Sequence, residues 1–286
     1  MTDRGSNPVA LRRRLRTELK KARERKSLKQ KDVALALDWS QSKVIRIESG
    51  TVNVSTTDLR ALLAFYGIDD AVVVDELVEL AKASRKSAWW DVHRPLLSSE
   101  AIKLLGLEAS TTVIRQFQAL LVPGLLQTEA YARATLSQYV DKAKVDPLAL
   151  IRMERQRILA GEDAAEAFFI LDEAAIRRWV GGPEVIREQL EHLKEMNRRP
   201  NVTIQVITFD KGVHLGMQGS FTVFEFPAEQ QDYAVFLERP GGTEVIENDV
   251  NVGPQFVESF MQLEELAMPS SELDAVIDRV LAEVLG

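Results

Sequence analysis

Two short amphipathic segments separated by a tight connection constrain the fold of this chain more than any other feature. Residues 30–37 and 41–49 each carry apolar side chains at the spacing of an α-helix. Only residues 38–40 lie between them, which is enough for a turn and for no further element. Ser40 can cap the second segment by accepting a backbone N–H, and Gly50 can end it in the left-handed conformation. The pattern therefore predicts two short helices that pack across a sharp turn.

Further helical patterns flank this pair. A leucine recurs every fourth residue in a first helix, which is predicted to end near Arg25. Residues 55–58 have a capping-box pattern that opens another helix through Tyr66, and Gly67 closes it. The segment 8–68 is therefore predicted to be a small all-α domain.

Charge is distributed unevenly along the chain. Residues 1–60 contain 15 Lys and Arg against seven Asp and Glu, a net charge of +8. The remaining 226 residues contain 21 against 36, a net charge of −15. A basic segment in front of an acidic body suggests a polyanion as the partner of the basic segment alone. From charge alone, a merely solvated basic surface is the alternative.

The helical pair resembles the lambda-repressor-like, Xre/Cro-type helix-turn-helix domain. The resemblance is carried by Gln30–Ala34 and Ser40–Gly50, by the spacing between them and by the Glu-x-Gly ending. It covers about sixty residues and implies a domain that binds double-stranded DNA. Asp38 departs from the pattern where glycine is common, which the left-handed tolerance of aspartate allows. Lys29 stands where a serine or asparagine cap is usual, so this cap is expected to be weak.

In such a motif the start of the second helix enters the major groove. Val44 and Ile47 are predicted to face inward, so the predicted base contacts are the outward-facing Gln41, Ser42, Ile45 and Arg46. The predicted phosphate contacts are Lys29, Gln30, Lys31, Lys43 and Arg60. Glu48 is predicted to make an internal ion pair instead, because a carboxylate repels phosphate. The alternative is that these residues are only solvated.

The rest of the chain lacks the repeated strand–helix rhythm of a doubly wound fold. Residues 69–99 are predicted to be a helical linker, and residues 100–286 a larger α+β domain with a mixed or antiparallel sheet. The predicted strands are Val113–Gln118, Ala167–Leu171, Val202–Thr208, Ser220–Phe226 and Tyr233–Glu238.

This larger part resembles the uncharacterised C-terminal domain of many actinobacterial Xre-type regulators. The motifs that carry the resemblance are Val122–Ala132, Arg155–Arg157, Leu171–Glu173 and Gly181–Pro183. The resemblance implies a regulator that often works with a small partner protein encoded beside it, in an antitoxin-like or developmental setting. It assigns no catalytic residues.

The sequence predicts no enzyme, metal or cofactor site. There is no cysteine, there are three histidines, and no glycine-rich loop has the spacing of a phosphate loop. Two features stay open. Arg152, Arg155 and Arg157 are interpreted as a solvated or salt-bridged helix face, with an anion site as the alternative. The loop 210–220 is interpreted as a hairpin connection, with a ligand lid as the alternative.

The prediction is therefore a cytoplasmic transcriptional regulator. No apolar run approaches the roughly 20 residues of a membrane helix, and the first seven residues lack an apolar signal core. A homodimer is expected, because one recognition helix reads only a few base pairs. The apolar stripe of residues 273–284 either pairs two copies or closes the domain's own core. The large domain is expected to bind a small partner protein; a small-molecule effector is the alternative, and a fused enzyme is the least favoured.

Overall fold

The chain consists of two compact units. The computed structural model describes residues 7–227, 232–239, 242–247 and 251–285. The first unit comprises Met1–Val92 and the second His93–Gly286. Among the described helices, none combines the length and the apolar character that crossing a membrane would require.

The described part of the first unit is all helical, and the ends of its first four helices lie within one residue of those predicted. The helices are α1 (Pro8–Arg25), α2 (Gln30–Ala36), α3 (Gln41–Glu48), α4 (Thr56–Phe65) and α5 (Ala71–Ala83). The Ser40 hydroxyl accepts the backbone N–H of Lys43 at 3.3 Å, which caps α3. Gly50 ends α3 with φ +73°. Asp38 lies in the left-handed region at φ +54°, as predicted for aspartate in this turn.

The core of the first unit draws on all five helices. Its most buried members include Leu19, Val33, Val44, Leu59, Leu63, Val78 and Ala81. Val78 and Ala81 belong to α5, which lies within the segment predicted to be a linker. They are 3% and 1% exposed, so α5 stabilises the first unit by burying apolar surface.

The second unit contains a six-stranded mixed sheet, which confirms the predicted α+β class. The strands are β1 (Val113–Gln118), β2 (Glu166–Asp172), β3 (Val202–Ile207), β4 (Phe221–Glu225), β5 (Tyr233–Arg239) and β6 (Gly242–Glu247). Their order is β3-β2-β1-β4-β5-β6. The first three strands pair in parallel, and β4, β5 and β6 are added antiparallel. β6 was not predicted, because its apolar residues, Val245 and Ile246, are adjacent instead of alternating.

Seven α-helices accompany this sheet in the described residues of the second unit. They are α6 (Ser99–Ser110), α7 (Glu129–Leu136), α8 (Lys142–Arg155), α9 (Glu173–Arg177), α10 (Pro183–Asn197), α11 (Val252–Leu266) and α12 (Leu273–Leu285). Successive residues of β5 enter different cores, as the period of two requires. Phe236 packs with α10 and α12, and Val235 packs with α11. The sheet is therefore covered on both faces.

The apolar stripe on α12 closes the core of its own unit. Leu273, Val276, Ile277 and Val280 are each at most 2% exposed and belong to the same cluster as the sheet residues. The side chain of Val284 lies outside the described residues. Of the two alternatives for this stripe, the structure therefore supports core closure, and the buried positions are not available to pair two copies.

The hairpin interpretation of residues 210–220 is wrong. β3 and β4 are separated by β2 and β1 in the sheet, so the connection between them passes the ends of those two strands. Gly216 packs on the ring of Phe117, where a Cβ would lie 2.3 Å from Cζ. His214 Nε2 lies 3.1 Å from Asp172 Oδ2 at the end of β2. Nearness in sequence did not make β3 and β4 neighbours, because tertiary packing sets the strand order.

Candidate nucleic-acid interface

Helix α3 has one buried face and one exposed face. Val44 and Ile47 are 1% and 5% exposed and anchor the helix in the core of the first unit. The four side chains predicted to contact bases are all exposed: Gln41, Ser42, Ile45 and Arg46. The structure therefore brings them together on one outward surface at the start and middle of α3.

The polar members of this surface are held loosely. Arg46 Nε donates to the Ser42 carbonyl oxygen at 3.3 Å, a long hydrogen bond within its own helix. The side chain of Gln41 forms no hydrogen bond within the described part of the chain. Ile45 is 42% exposed, so it presents an apolar surface beside these two polar groups. This combination matches the chemistry of base edges in the major groove.

Glu48 makes the internal ion pair that was predicted for it. Arg23 Nε donates to one carboxylate oxygen of Glu48 at 2.7 Å, and Gln30 Nε2 donates to the other at 2.9 Å. Arg23 also donates to the Leu28 carbonyl oxygen at 2.7 Å. The hydrogen bond to Glu48 raises the pKa of Arg23 above its ordinary value, although burial opposes this. The network joins α1 and α3 and holds the amide nitrogen of Gln30, a predicted phosphate contact.

Two of the predicted phosphate contacts are ion-paired within the protein. Lys43 Nζ lies 2.7 Å from Asp58 Oδ1 and 3.8 Å from the centroid of the Trp39 ring. Burial tends to raise the pKa of Asp58, but its hydrogen bonds with Lys43 and Ser55 outweigh this and leave the pKa lowered. Arg60 lies 3.1 Å from a carboxylate oxygen of Asp75, where both side chains are exposed. A phosphate would have to compete with these carboxylates.

Lys29 and Lys31 are exposed at the start of α2. Their ammonium groups form no ion pair within the described residues, so both charges are available to an external anion. The weak cap expected at Lys29 is supplemented from inside the helix, because the Asp32 carboxylate accepts the Lys29 backbone N–H at 2.8 Å.

Arg16 is a positioning residue that the sequence did not reveal. Its Nη1 donates to the Ser49 carbonyl oxygen at 3.0 Å, which links α1 to the end of α3. The two residues are 33 positions apart, so no local pattern connects them. The contact supplies a partner for one of the carbonyl groups that a helix leaves unsatisfied at its end.

Comparison with known proteins agrees with the two units. Residues 14–77 match the model of a family described as a helix-turn-helix domain, and residues 102–279 match a family described as a domain of unknown function (DUF5753). The comparisons with curated proteins and with solved structures each found no match. Since the second family model covers more than half of the chain, the chain belongs to the DUF5753 family, and it carries a helix-turn-helix domain in front of that domain.

Proposed function

We propose that this chain is a sequence-specific DNA-binding transcriptional regulator of the Xre/Cro type, with α3 as its recognition helix. The observation that carries the proposal is the exposed surface of Gln41, Ser42, Ile45 and Arg46 on a capped helix within a basic unit. The match to a helix-turn-helix family supports it. The resemblance to actinobacterial regulators of this type supports it as well. As a protein that acts on chromosomal DNA, the chain would work in the cytoplasm.

The DNA-bound form is proposed to be a homodimer. A single recognition helix reads only a few base pairs, and two half-sites about 34 Å apart give the specificity that a regulator needs. The experiment is a mobility-shift series of the full chain on the DNA upstream of its own gene, with light scattering of the free and bound protein. A monomer in both states would contradict the dimer.

The same mobility-shift series should show a steep dependence on salt. The logarithm of the affinity should fall linearly with the logarithm of the salt concentration, with a slope of about −0.9 per phosphate contact, because each contact releases condensed counterions. An absence of binding at every salt concentration would argue against the proposed function.

Base-contacting and phosphate-contacting residues should separate in a selection from random DNA. Arg46→Ala and Gln41→Ala should each cost about 1–3 kcal/mol of discrimination at one base position. Arg46→Lys is the matched control for charge, since it retains the cation but loses the bidentate geometry. Lys31→Ala should weaken binding to all sequences alike and reduce the salt slope by about one phosphate contact. Selection of one unchanged site by wild type and both base-reading variants would contradict these assignments.

The second unit is proposed to receive the regulatory signal. Its net negative charge disfavours contact with DNA phosphates and favours a partner with basic or polar groups. The proposal that the signal comes from a small partner protein rests on this charge and on the resemblance to actinobacterial regulators. Calorimetry of the full chain against the small protein encoded beside it tests this input, and no heat together with no co-elution would contradict it. The small-molecule alternative has a structural observation in its favour, a large cavity in the second unit.

A further inference from the structure

The second unit contains a cavity of about 1020 Å³. It lies between one face of the sheet and the helices α6, α7 and α8, beside the loop that crosses from β3 to β4. Its volume is at the upper end of the range that is usual for small-molecule sites. Leu120, Tyr139 and Met217 line it with side chains that are 57%, 77% and 61% exposed, so they mark its opening to solvent.

Part of the cavity wall is apolar. Leu104 of α6, Ile114 of β1, Phe224 of β4 and Phe236 of β5 all line it. The three strand residues belong to the same buried cluster, so this wall is part of the packed core and is rigid. Binding of a hydrocarbon group against such a wall is favourable, because it removes apolar surface from water.

The strands also direct polar side chains into the cavity, at positions where the period of two places core residues. Gln116 of β1 and Thr222 of β4 are neighbours in the sheet and are 8% and 5% exposed. Neither side chain forms a hydrogen bond within the described residues. The polar atoms of these two residues are not fully buried, so both groups are open to the cavity and can form hydrogen bonds with a molecule in it.

Arg152 supplies a cation that no carboxylate neutralises by direct contact. Its Nη1 donates to two neutral oxygens, Gln127 Oε1 at 2.7 Å and Thr135 Oγ1 at 3.3 Å. No ion pair to Arg152 occurs within the described part of the chain. Burial lowers the pKa of Arg152 to about 10, and the nearby charge of Arg155 acts in the same direction, against smaller opposing effects of Glu238 and Glu108.

The other two arginines of this group are ion-paired, as was expected of the group as a whole. Arg155 donates to both carboxylate oxygens of Glu108, at 2.9 and 2.5 Å, and Arg157 lies 2.7 Å from Glu154. Arg152 is therefore the exception. It is the one for which the anion-site alternative keeps structural support.

We propose that this cavity binds a small organic carboxylate with an apolar body. The carboxylate would accept hydrogen bonds from Arg152, polar atoms of the ligand would pair with Gln116 and Thr222, and the apolar body would lie against Leu104, Phe224 and Phe236. A guanidinium with free donors matches a carboxylate in charge and geometry. The role of this ligand as the signal of a regulator rests on the proposed function. Its binding to the cavity does not depend on that function.

The test is calorimetric titration of the full chain with three carboxylates and their neutral alcohols. The probes are octanoate, 3-phenylpropanoate and 2-naphthoate, against octan-1-ol, 3-phenylpropan-1-ol and 2-naphthylmethanol. At least one carboxylate should bind the wild-type chain about ten- to a hundredfold more tightly than its alcohol, which is the value of a hydrogen bond to a charged group. Equal affinities in all three pairs, or no binding of any probe, would overturn the proposal.

Three variants test whether the guanidinium of Arg152 causes the preference for the carboxylate. Arg152→Gln should lose the preference for the carboxylate, about ten- to a hundredfold, while it keeps its affinity for the alcohol. Arg157→Gln is the matched control, because Arg157 is an exposed arginine just beyond α8 and does not line the cavity. Gln127→Glu should also abolish the preference, since it places a carboxylate against an unchanged Arg152. It keeps the proposal testable if Arg152→Gln does not fold.

The outcomes separate this inference from the proposed function. A retained carboxylate preference in a folded Arg152→Gln or Gln127→Glu chain would overturn the inference, whatever the chain does with DNA. Carboxylate binding in a chain that fails to bind DNA would leave the cavity assignment standing and remove the proposed function. If both hold, adding the carboxylate to the mobility-shift reaction should change the DNA affinity of wild type and leave that of Arg152→Gln unchanged.

Discussion

Replacing Glu108 with glutamine should lower the free energy of unfolding of the second unit by about 3–5 kcal/mol, because it leaves a buried cation without its carboxylate. The Glu108 side chain is 4% exposed and that of Arg155 is 16% exposed. The pair is bidentate, so the substitution removes a matched pair of hydrogen bonds as well as a charge. Hydrogen exchange of peptides from β1 and β2 measures the loss, and peptides from α1 to α4 provide an internal reference.

Glu154→Gln is the matched control for this change. It removes the carboxylate from Arg157, whose side chain is 64% exposed, so the cost should be at most about 1 kcal/mol. A double replacement, Glu108→Leu with Arg155→Met, should recover much of the loss, since a buried ion pair is often no more stable than apolar side chains of similar volume. Equal effects of Glu108→Gln and Glu154→Gln would contradict the buried status of the first pair.

Replacing Glu48 with glutamine should destabilise the first unit by about 3 kcal/mol, because it leaves Arg23 with its guanidinium buried. The side chains of Arg23 and Glu48 are 11% and 5% exposed. The expected value is at the lower end for a buried pair, since Glu24 also lies 3.5 Å from Arg23. Hydrogen exchange of peptides from α1 and α3 measures this loss of stability.

The Glu48 prediction also separates stability from DNA recognition. Under conditions where the variant is folded, it should select the same DNA site as wild type, because Glu48 is engaged inside the protein. Asp58→Asn is the control, since it breaks a partly exposed pair with Lys43 and should cost at most about 1 kcal/mol. A folded Glu48→Gln chain with a changed base preference would contradict this separation of stability from recognition.

The helices of the first unit were predictable because their signals are local. Ser40 and Ser55 precede the helices that they cap, and Gly50 follows the helix that it ends. The inward position of Val44 and Ile47 follows from their spacing of three, which also places the candidate base contacts on the opposite face.

Helix α6 and the path of the β3–β4 connection were not predicted, because neither has such a local signal. Helix α6 has a glycine at position 106 and buries a continuous run from 107 to 110, so it has no clear alternation of polar and apolar faces. The connection from β3 to β4 has the composition of a hairpin loop, and only the strand order shows that it crosses the sheet. Both depend on contacts that are distant in sequence.

The sequence by itself determined which face of α3 is exposed. It also determined that the second unit combines helices with a sheet, because helical and strand periodicity are properties of consecutive residues. The tertiary structure alone decided the state of Arg155 and Arg152, whereas Arg157 pairs with Glu154, only three positions before it. Arg155 lies 47 positions from Glu108 and is neutralised by it, whereas Arg152 reaches only Gln127 and Thr135. Which of these two charges is paired depends on the partners that folding brings near it, and no spacing along the chain encodes that choice.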